Sequence, residues 1–168
     1  GDIAACNGSS VASGASFEAF RWANGVIEPL GDLPGGTFQS FATDMTADGS
    51  VIIGYSDGTP PPDFRYYDAF MWDSAHGMRK LQDVLESDYG LKLPGWKLVI
   101  PFAMSRDGQN IVGVGVNPAG DTEAWLVRLG VGAVANDELA AQAGLACDRG
   151  IVVDACGRTA DPLIVAAG

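Results

Sequence analysis

A short motif recurs along this chain: an acidic residue, Ala, then an aromatic. It stands as Glu18-Ala19-Phe20-Arg21-Trp22, Asp68-Ala69-Phe70-Met71-Trp72 and Glu123-Ala124-Trp125-Leu126-Val127. A second motif alternates with it, an Asp-Gly pair ahead of a β-branched run. It occupies Asp48–Gly54 and Asp107–Gly113, with a weaker copy at Gly1–Cys6. No other feature constrains the fold as much. A repeated unit cannot bury its apolar face alone and needs neighbours of its own kind to cover it.

Each unit reads as β. Phe17–Trp22 alternates aromatic with smaller or polar residues, as a half-buried strand does. Gly25–Leu30 follows a short Ala-Asn turn, Gly31–Gly36 is a loop, and Ser40–Thr46 is a further strand. Asp48-Gly49 has the composition of a turn with positive φ, and Ser50–Tyr55 closes the unit. The next unit runs Tyr67–Trp72, Gly77–Leu81, Leu98–Ser105 and Gln109–Val114. Within its insertion, Gln82–Trp96, the pattern predicts two helical turns over Leu81–Asp88, ended by Gly90. Four short strands per unit predict a blade or meander stacked on its neighbours.

Charge narrows the partners. The chain has 10 Lys+Arg against 21 Asp+Glu, a net charge of -11. That sign excludes the basic footprint that nucleic-acid phosphates or an anionic membrane surface require. No apolar run approaches the length of a membrane span. The count of three cysteines, Cys6, Cys147 and Cys156, is odd and sparse, so it makes no disulfide framework; with a single His it makes no zinc site either.

The repeated residues are the natural site candidates, and each has a structural reading. Phe20, Trp22, Phe70, Trp72 and Trp125 are expected in a repeated core; the rival is a ligand-stacking platform. Glu18, Asp68 and Glu123 are expected to accept hydrogen bonds at strand entries. Their rival is a glycosidase carboxylate pair, for which the spacing gives no support. Asp44, Asp48 and Asp57 fit no calcium loop, and Asp-Gly turns account for Asp48 and Asp57. His76 reads as a surface turn residue, and no Gly-x-Ser-x-Gly elbow accompanies it. Gly113-Val114-Gly115 is a fragment of a dinucleotide fingerprint and reads as strand glycine. No catalytic residue and no metal ligand is nominated.

The motif order resembles the HAF-type extracellular repeats of secreted and surface bacterial proteins. The matching runs are Glu18–Trp22, Gly25–Gly36, Ala42–Gly54, Asp68–Trp72, Gly77-Met78 and Ala103–Gly113, with Asn117–Trp125 as a finishing strand. The resemblance covers about residues 1–129. It implies an extracellular or cell-surface, propeller-like β architecture without a defined activity. A propeller closes with about four blades or more, so this length implies a partial one.

Composition shifts after Leu129, where aromatics stop and Ala and Gly rise. Asn136–Ala143 is predicted as a short helix stopped by Gly144, and Ile151–Asp154 and Leu163–Ala167 as strands. The segments Leu129–Ala140, Ala143-Gly144-Leu145, Gly150–Asp154 and Arg158–Gly168 resemble the FAD-dependent ferredoxin reductases of the putidaredoxin and rhodocoxin type. Ala160 stands where that family has Ser. The resemblance implies a cytoplasmic, NAD(P)H-linked oxidoreductase. In the family pattern an Asp that contacts the flavin follows the position of Gly168, which is therefore the one residue nominated toward FAD. The Gly-rich βαβ turns for FAD and NAD have no counterpart, so neither flavin binding nor hydride transfer is expected of the chain as it stands.

The sequence therefore predicts a mainly β protein. Residues 1–129 form an antiparallel, partial propeller-like β-repeat domain, and residues 130–168 a small α/β reductase-like appendage. The expected role is non-enzymatic, structural or binding, with no cofactor and an extracellular protein or glycan as partner. The alternative is an inactive, truncated reductase fragment that belongs with FAD. Exposed edge strands invite self-association. The two resemblances meet near Arg128–Val131, where a fused reading frame, a chimera and a natural hybrid all fit.

Overall fold

The computed structural model describes residues 2–58 and 64–129. The expectations for 130–168, Gly168, Cys147 and Cys156 among them, lie outside the described residues. Among the described residues, ten strands form three antiparallel sheets in which every strand pairs only with its sequence neighbour. The first sheet holds β1 (Ile3–Gly8), β2 (Glu18–Ala23) and β3 (Val26–Pro29). The second holds β4 (Ser40–Met45), β5 (Val51–Ser56), β6 (Asp68–Asp73) and β7 (Gly77–Lys80). The third holds β8 (Lys97–Met104), β9 (Asn110–Val116) and β10 (Thr122–Arg128). The fold is thus mainly β, and the described residues contain no closed barrel.

The two sequence motifs meet as paired strands. Gly54 lies opposite Phe70 and Gly113 opposite Trp125. Cys6 lies opposite Phe20, which makes the weak first copy a true structural equivalent. The glycines have a steric reason. A Cβ on Gly54 would fall 2.0 Å from the Phe41 carbonyl oxygen and 2.5 Å from Phe70 Cζ. On Gly113 it would fall 2.3 Å from both the Ile100 oxygen and Trp125 Cζ2. The aromatic ring therefore lies flat over a strand that must carry no side chain.

The sheet boundaries differ from the expected unit. A unit counted from the acidic motif, Phe17 to Tyr55, is split between the first sheet and the second. The cause is pairing: the Asp-Gly strand β5 zips to the acidic-motif strand β6 that follows it, so each sheet straddles two sequence units.

The Asp-Gly turns form as expected. Gly49 and Gly108 take φ of 62° and 74°. Asp48 Oδ1 accepts from the Thr46 and Ser50 hydroxyls and the Ser50 amide, and Asp107 Oδ1 accepts from Ser105 Oγ and the Gln109 amide. Asp57-Gly58 is not such a turn. Gly58 lies outside the left-handed region, and Asp57 is buried, taking a hydrogen bond from Thr37 Oγ1.

Two apolar clusters hold the three sheets face to face. One face of the second sheet, with Ile52, Phe70 and Trp72, packs with Ala19, Leu30 and Leu33 beside the first sheet. Its other face, with Ile53, Ala69 and Met71, packs with Met104, Ile111, Trp125 and Val127 of the third. Helix α1 (Leu81–Ser87) covers the second cluster with Leu81, Val84 and Leu85 and ends before Gly90, near the predicted stop. Polar clips cross both seams. Asn7 exchanges hydrogen bonds with the Ala42 backbone, Arg21 Nε donates to the Gly49 oxygen, and the Asp44 carboxylate at the β4 bulge accepts from the Met104 amide.

Candidate functional site

The acidic residues of the repeat are engaged in the fold. Glu18 is buried, and its Oε1 accepts from the Gly31 amide at 3.2 Å, fixing the loop that leaves the first sheet. Buried Ser40 and Ser56 hold the same loop: Ser40 Oγ donates to the Gly31 oxygen, and Ser56 Oγ accepts from the Leu33 amide and donates to Asp32. Burial pushes the Asp32 carboxyl above its ordinary value, against the hydrogen bond from Ser56. Glu123 is exposed and accepts from Asn117 Nδ2. Glu18 and Glu123 thus accept hydrogen bonds, as the sequence suggested for the repeat carboxylates, whereas Asp68 is held by ionic contacts.

Asp68 is the acidic residue with the richest surroundings. Lys80 Nζ lies 2.9 Å and Lys97 Nζ 3.7 Å from its Oδ1, an ionic contact in which neither ammonium is aligned for a hydrogen bond. Lys97 instead donates to the Arg65 carbonyl. Asp68 lines a cavity of about 410 Å³ between the Leu33-Pro34 loop, β7 and α1, together with Arg79, Lys80, Asp83 and Ser87. Arg79 is bound to Asp73 and Asp88. The Asp88 carboxyl is held low, first by the Ser87 hydroxyl and then by Arg79. The cavity wall thus mixes charged side chains with the apolar Leu33, Pro34, Met78 and Val84. It offers a bound molecule polar contacts but no nucleophile with an adjacent base.

His76 sits in the exposed turn between β6 and β7, where Asp73 Oδ1 accepts from the Ala75 and His76 amides and contacts His76 Nδ1 at 2.9 Å. This is the turn role expected of it. Among the aromatics, Phe70, Trp72 and Trp125 are core, whereas Phe20 and Trp22 are only half-buried. A different aromatic row was not legible in the sequence. Phe17, Phe41, Tyr55 and Tyr67 follow one another with ring centroids 5.3, 5.0 and 4.9 Å apart. They come from four separate segments, and only the cross-strand pair Phe41–Tyr55 could have signalled it. Burial, and then Tyr67, raise the Tyr55 phenol above its usual value.

A flavin or nicotinamide dinucleotide does not fit the described residues. Such a cradle needs a parallel βαβ turn that aims a helix N-terminus at the pyrophosphate. Here all paired strands are antiparallel, and α1 has 7 residues and follows β7 directly. Among the described residues there is no cluster of three or more potential metal ligands and no helix long and apolar enough to cross a membrane. Asp44, Asp48 and Asp57 are each accounted for by protein partners.

No family model matches the chain, and no solved structure matches it. Part of the chain is similar in sequence to ferredoxin reductases. Putidaredoxin reductase CamA of Pseudomonas putida is 38% identical over 84 residues, 50% of this chain and 20% of that protein. The ferredoxin–NAD(+) reductase component of the anthranilate 1,2-dioxygenase system of Burkholderia cepacia is 55% identical over 49 residues, 29% of this chain and 12% of the relative. The corresponding component of the biphenyl dioxygenase system of Paraburkholderia xenovorans is 51% identical over 45 residues, 27% of this chain and 11% of the relative. The chain thus spans a fifth or less of the length of these curated relatives.

Proposed function

We propose that this chain carries a segment of an NAD-linked ferredoxin reductase and supplies part of such an enzyme without being a complete one. The carrying observation is the identity of 38–55% to three reductases or reductase components. The resemblance over Leu129–Gly168 favours the flavin side of such an enzyme, with Gly168 next to the FAD-contacting position of the family pattern. The described residues contain no βαβ cradle, so FAD binding and hydride transfer need the remainder of a reductase. The test is a graft: residues 129–168 replace the corresponding stretch of putidaredoxin reductase. The expected chimera keeps its flavin absorbance and NADH-dependent turnover, and Gly168→Val in it removes the flavin. A stably folded chimera that has lost both would sink the reading.

A second reading applies to residues 1–129: a non-enzymatic β-repeat module of the extracellular, HAF-like kind, with a structural or binding role. It is supported by how the repeated acidic residues are occupied, since Glu18, Asp68 and Glu123 serve the fold and leave no carboxylate pair for chemistry. The module is expected to unfold cooperatively when expressed as residues 1–129. A chain of that length that stays unfolded would remove its standing as an independent domain.

A further inference from the structure

The three sheets meet through two interfaces built on one template. At the first seam, Ala5, Ala19 and Arg21 of the first sheet face Ile52, Phe70 and Trp72 of the second; Arg21 lies over the Trp72 ring, 6.0 Å from its centroid. At the second seam, Ile53, Ala69 and Met71 of the second sheet face Ile111, Trp125 and Val127 of the third. The strand registers make these sets equivalent position by position. Each sheet therefore has a donor face built on the motif alanine (Ala19, Ala69, Ala124) and an acceptor face built on the motif aromatic (Phe20, Phe70, Trp125).

Among the described residues, one face of each kind has no sheet packed on it. The third sheet's donor face carries Val112, Ala124 and Leu126, with Leu126 58% exposed and Val112 41% exposed. The first sheet's acceptor face carries Phe20, Trp22 and Ile27, with Ile27 63% exposed. Ile27 lies opposite Trp22 just as Met78 lies opposite Trp72, and Met78 packs into the first seam. The two open faces are thus the two halves of an interface that the molecule already makes twice.

We propose that the donor face of the third sheet docks on the acceptor face of the first sheet of a second copy of this chain, head to tail. The contact is heterologous, so each copy uses both faces, and assembly runs to a ring or a chain of copies rather than to a two-fold dimer. Each copy carries a charge of -11, so added salt strengthens the association. The proposal is independent of the reductase reading.

The test is sedimentation of the full chain with two substitutions, Leu126→Glu and Ile27→Glu, at positions whose exposure keeps them out of both seams. The unchanged chain is expected at masses above the 17.4 kDa monomer, increasing with concentration. Each variant alone is expected to be monomeric, with the urea midpoint of the parent at a dilution where it too is monomeric. An equimolar mixture of the two variants is expected to form a 1:1 heterodimer, because one chain keeps its donor face and the other its acceptor face. The proposal is overturned if the unchanged chain stays monomeric. It is equally overturned if association survives both substitutions, as edge-strand pairing would, or if the mixture gives no heterodimer, as a two-fold contact would.

Discussion

The second and first sheets carry the same motif and treat it differently. In the second sheet, covered on both faces, Phe70 is fully buried and Trp72 nearly so. In the first, on which the described residues pack a sheet at one face, the equivalent Phe20 and Trp22 remain half-buried. Sequence sets which side chains are presented to a face; only the neighbouring sheet removes them from water. The energetic weight of a repeat residue is therefore a property of its position in the stack.

The sharpest way to break this comparison is to truncate equivalent rings. Phe70→Ala is expected to cost about 4 kcal/mol, because it removes a buried ring and leaves a cavity over Gly54. Phe20→Ala is expected to cost about 1 kcal/mol in dilute, monomeric protein. Equal urea midpoints for the two variants would show that stacking does not set burial. The donor side gives the next effect. Met71→Ala should cost about 3 kcal/mol, whereas Leu126→Ala, at the exposed equivalent, should stay within about 0.5 kcal/mol.

Backbone clearance is a smaller contrast. Gly54→Ala forces a methyl group onto the Phe41 carbonyl and the Phe70 ring, for an expected loss of about 2 kcal/mol. Cys6 occupies the equivalent position in the first sheet with an exposed, free thiol, so Cys6→Ala should leave the thermal midpoint in place. A tolerated Gly54→Ala would refute the steric reading of the motif.

The smallest effects are those of pH, and they have opposite signs in the turn and in the loop. Hydrogen bonds from Ser50 and Thr46 lower the Asp48 carboxyl to about 2 from 3.8. Its stabilisation is complete above 3.8 and is lost as pH falls towards 2. Asp32 is raised, so its contribution is present below 3.8 and is lost as pH rises through its folded value. Asp48→Asn should flatten the acid limb of a urea-midpoint titration. Asp32→Asn should raise the midpoint at neutral pH. Reversed signs in either titration would count against these assignments.

Much of this architecture was legible in the sequence. The alternating motifs marked the strands to within a residue or two, except the finishing strand, expected at Asn117–Trp125 and found at Thr122–Arg128; the Asp-Gly turns formed at Gly49 and Gly108, and Leu81–Ser87 made its two turns. Even the faint Gly1–Cys6 copy proved equivalent, because its Cys6 lands opposite Phe20. The sheet boundaries were not legible: composition shows that a segment is a strand, whereas the partner is chosen by tertiary register, and β5 chose β6. Asp57 misled because its environment comes from Thr37, 20 residues away. The aromatic row escaped because Phe17, Phe41, Tyr55 and Tyr67 share no period, and the cavity at Asp68 because its walls come from a loop, a strand and a helix.

The strict nearest-neighbour pairing of all ten strands also fixes how the chain can acquire its structure. Hairpins joined by short turns close at low entropic cost, and a meander never waits for a distant segment to complete a sheet. Each sheet can form in order from the N-terminus as its strands are synthesised, then serve as the template on which the next one settles. Kinetically such a molecule is expected to act as a short polymer of sheets, in which damage to the third sheet leaves the seam between the first two to form at its own rate.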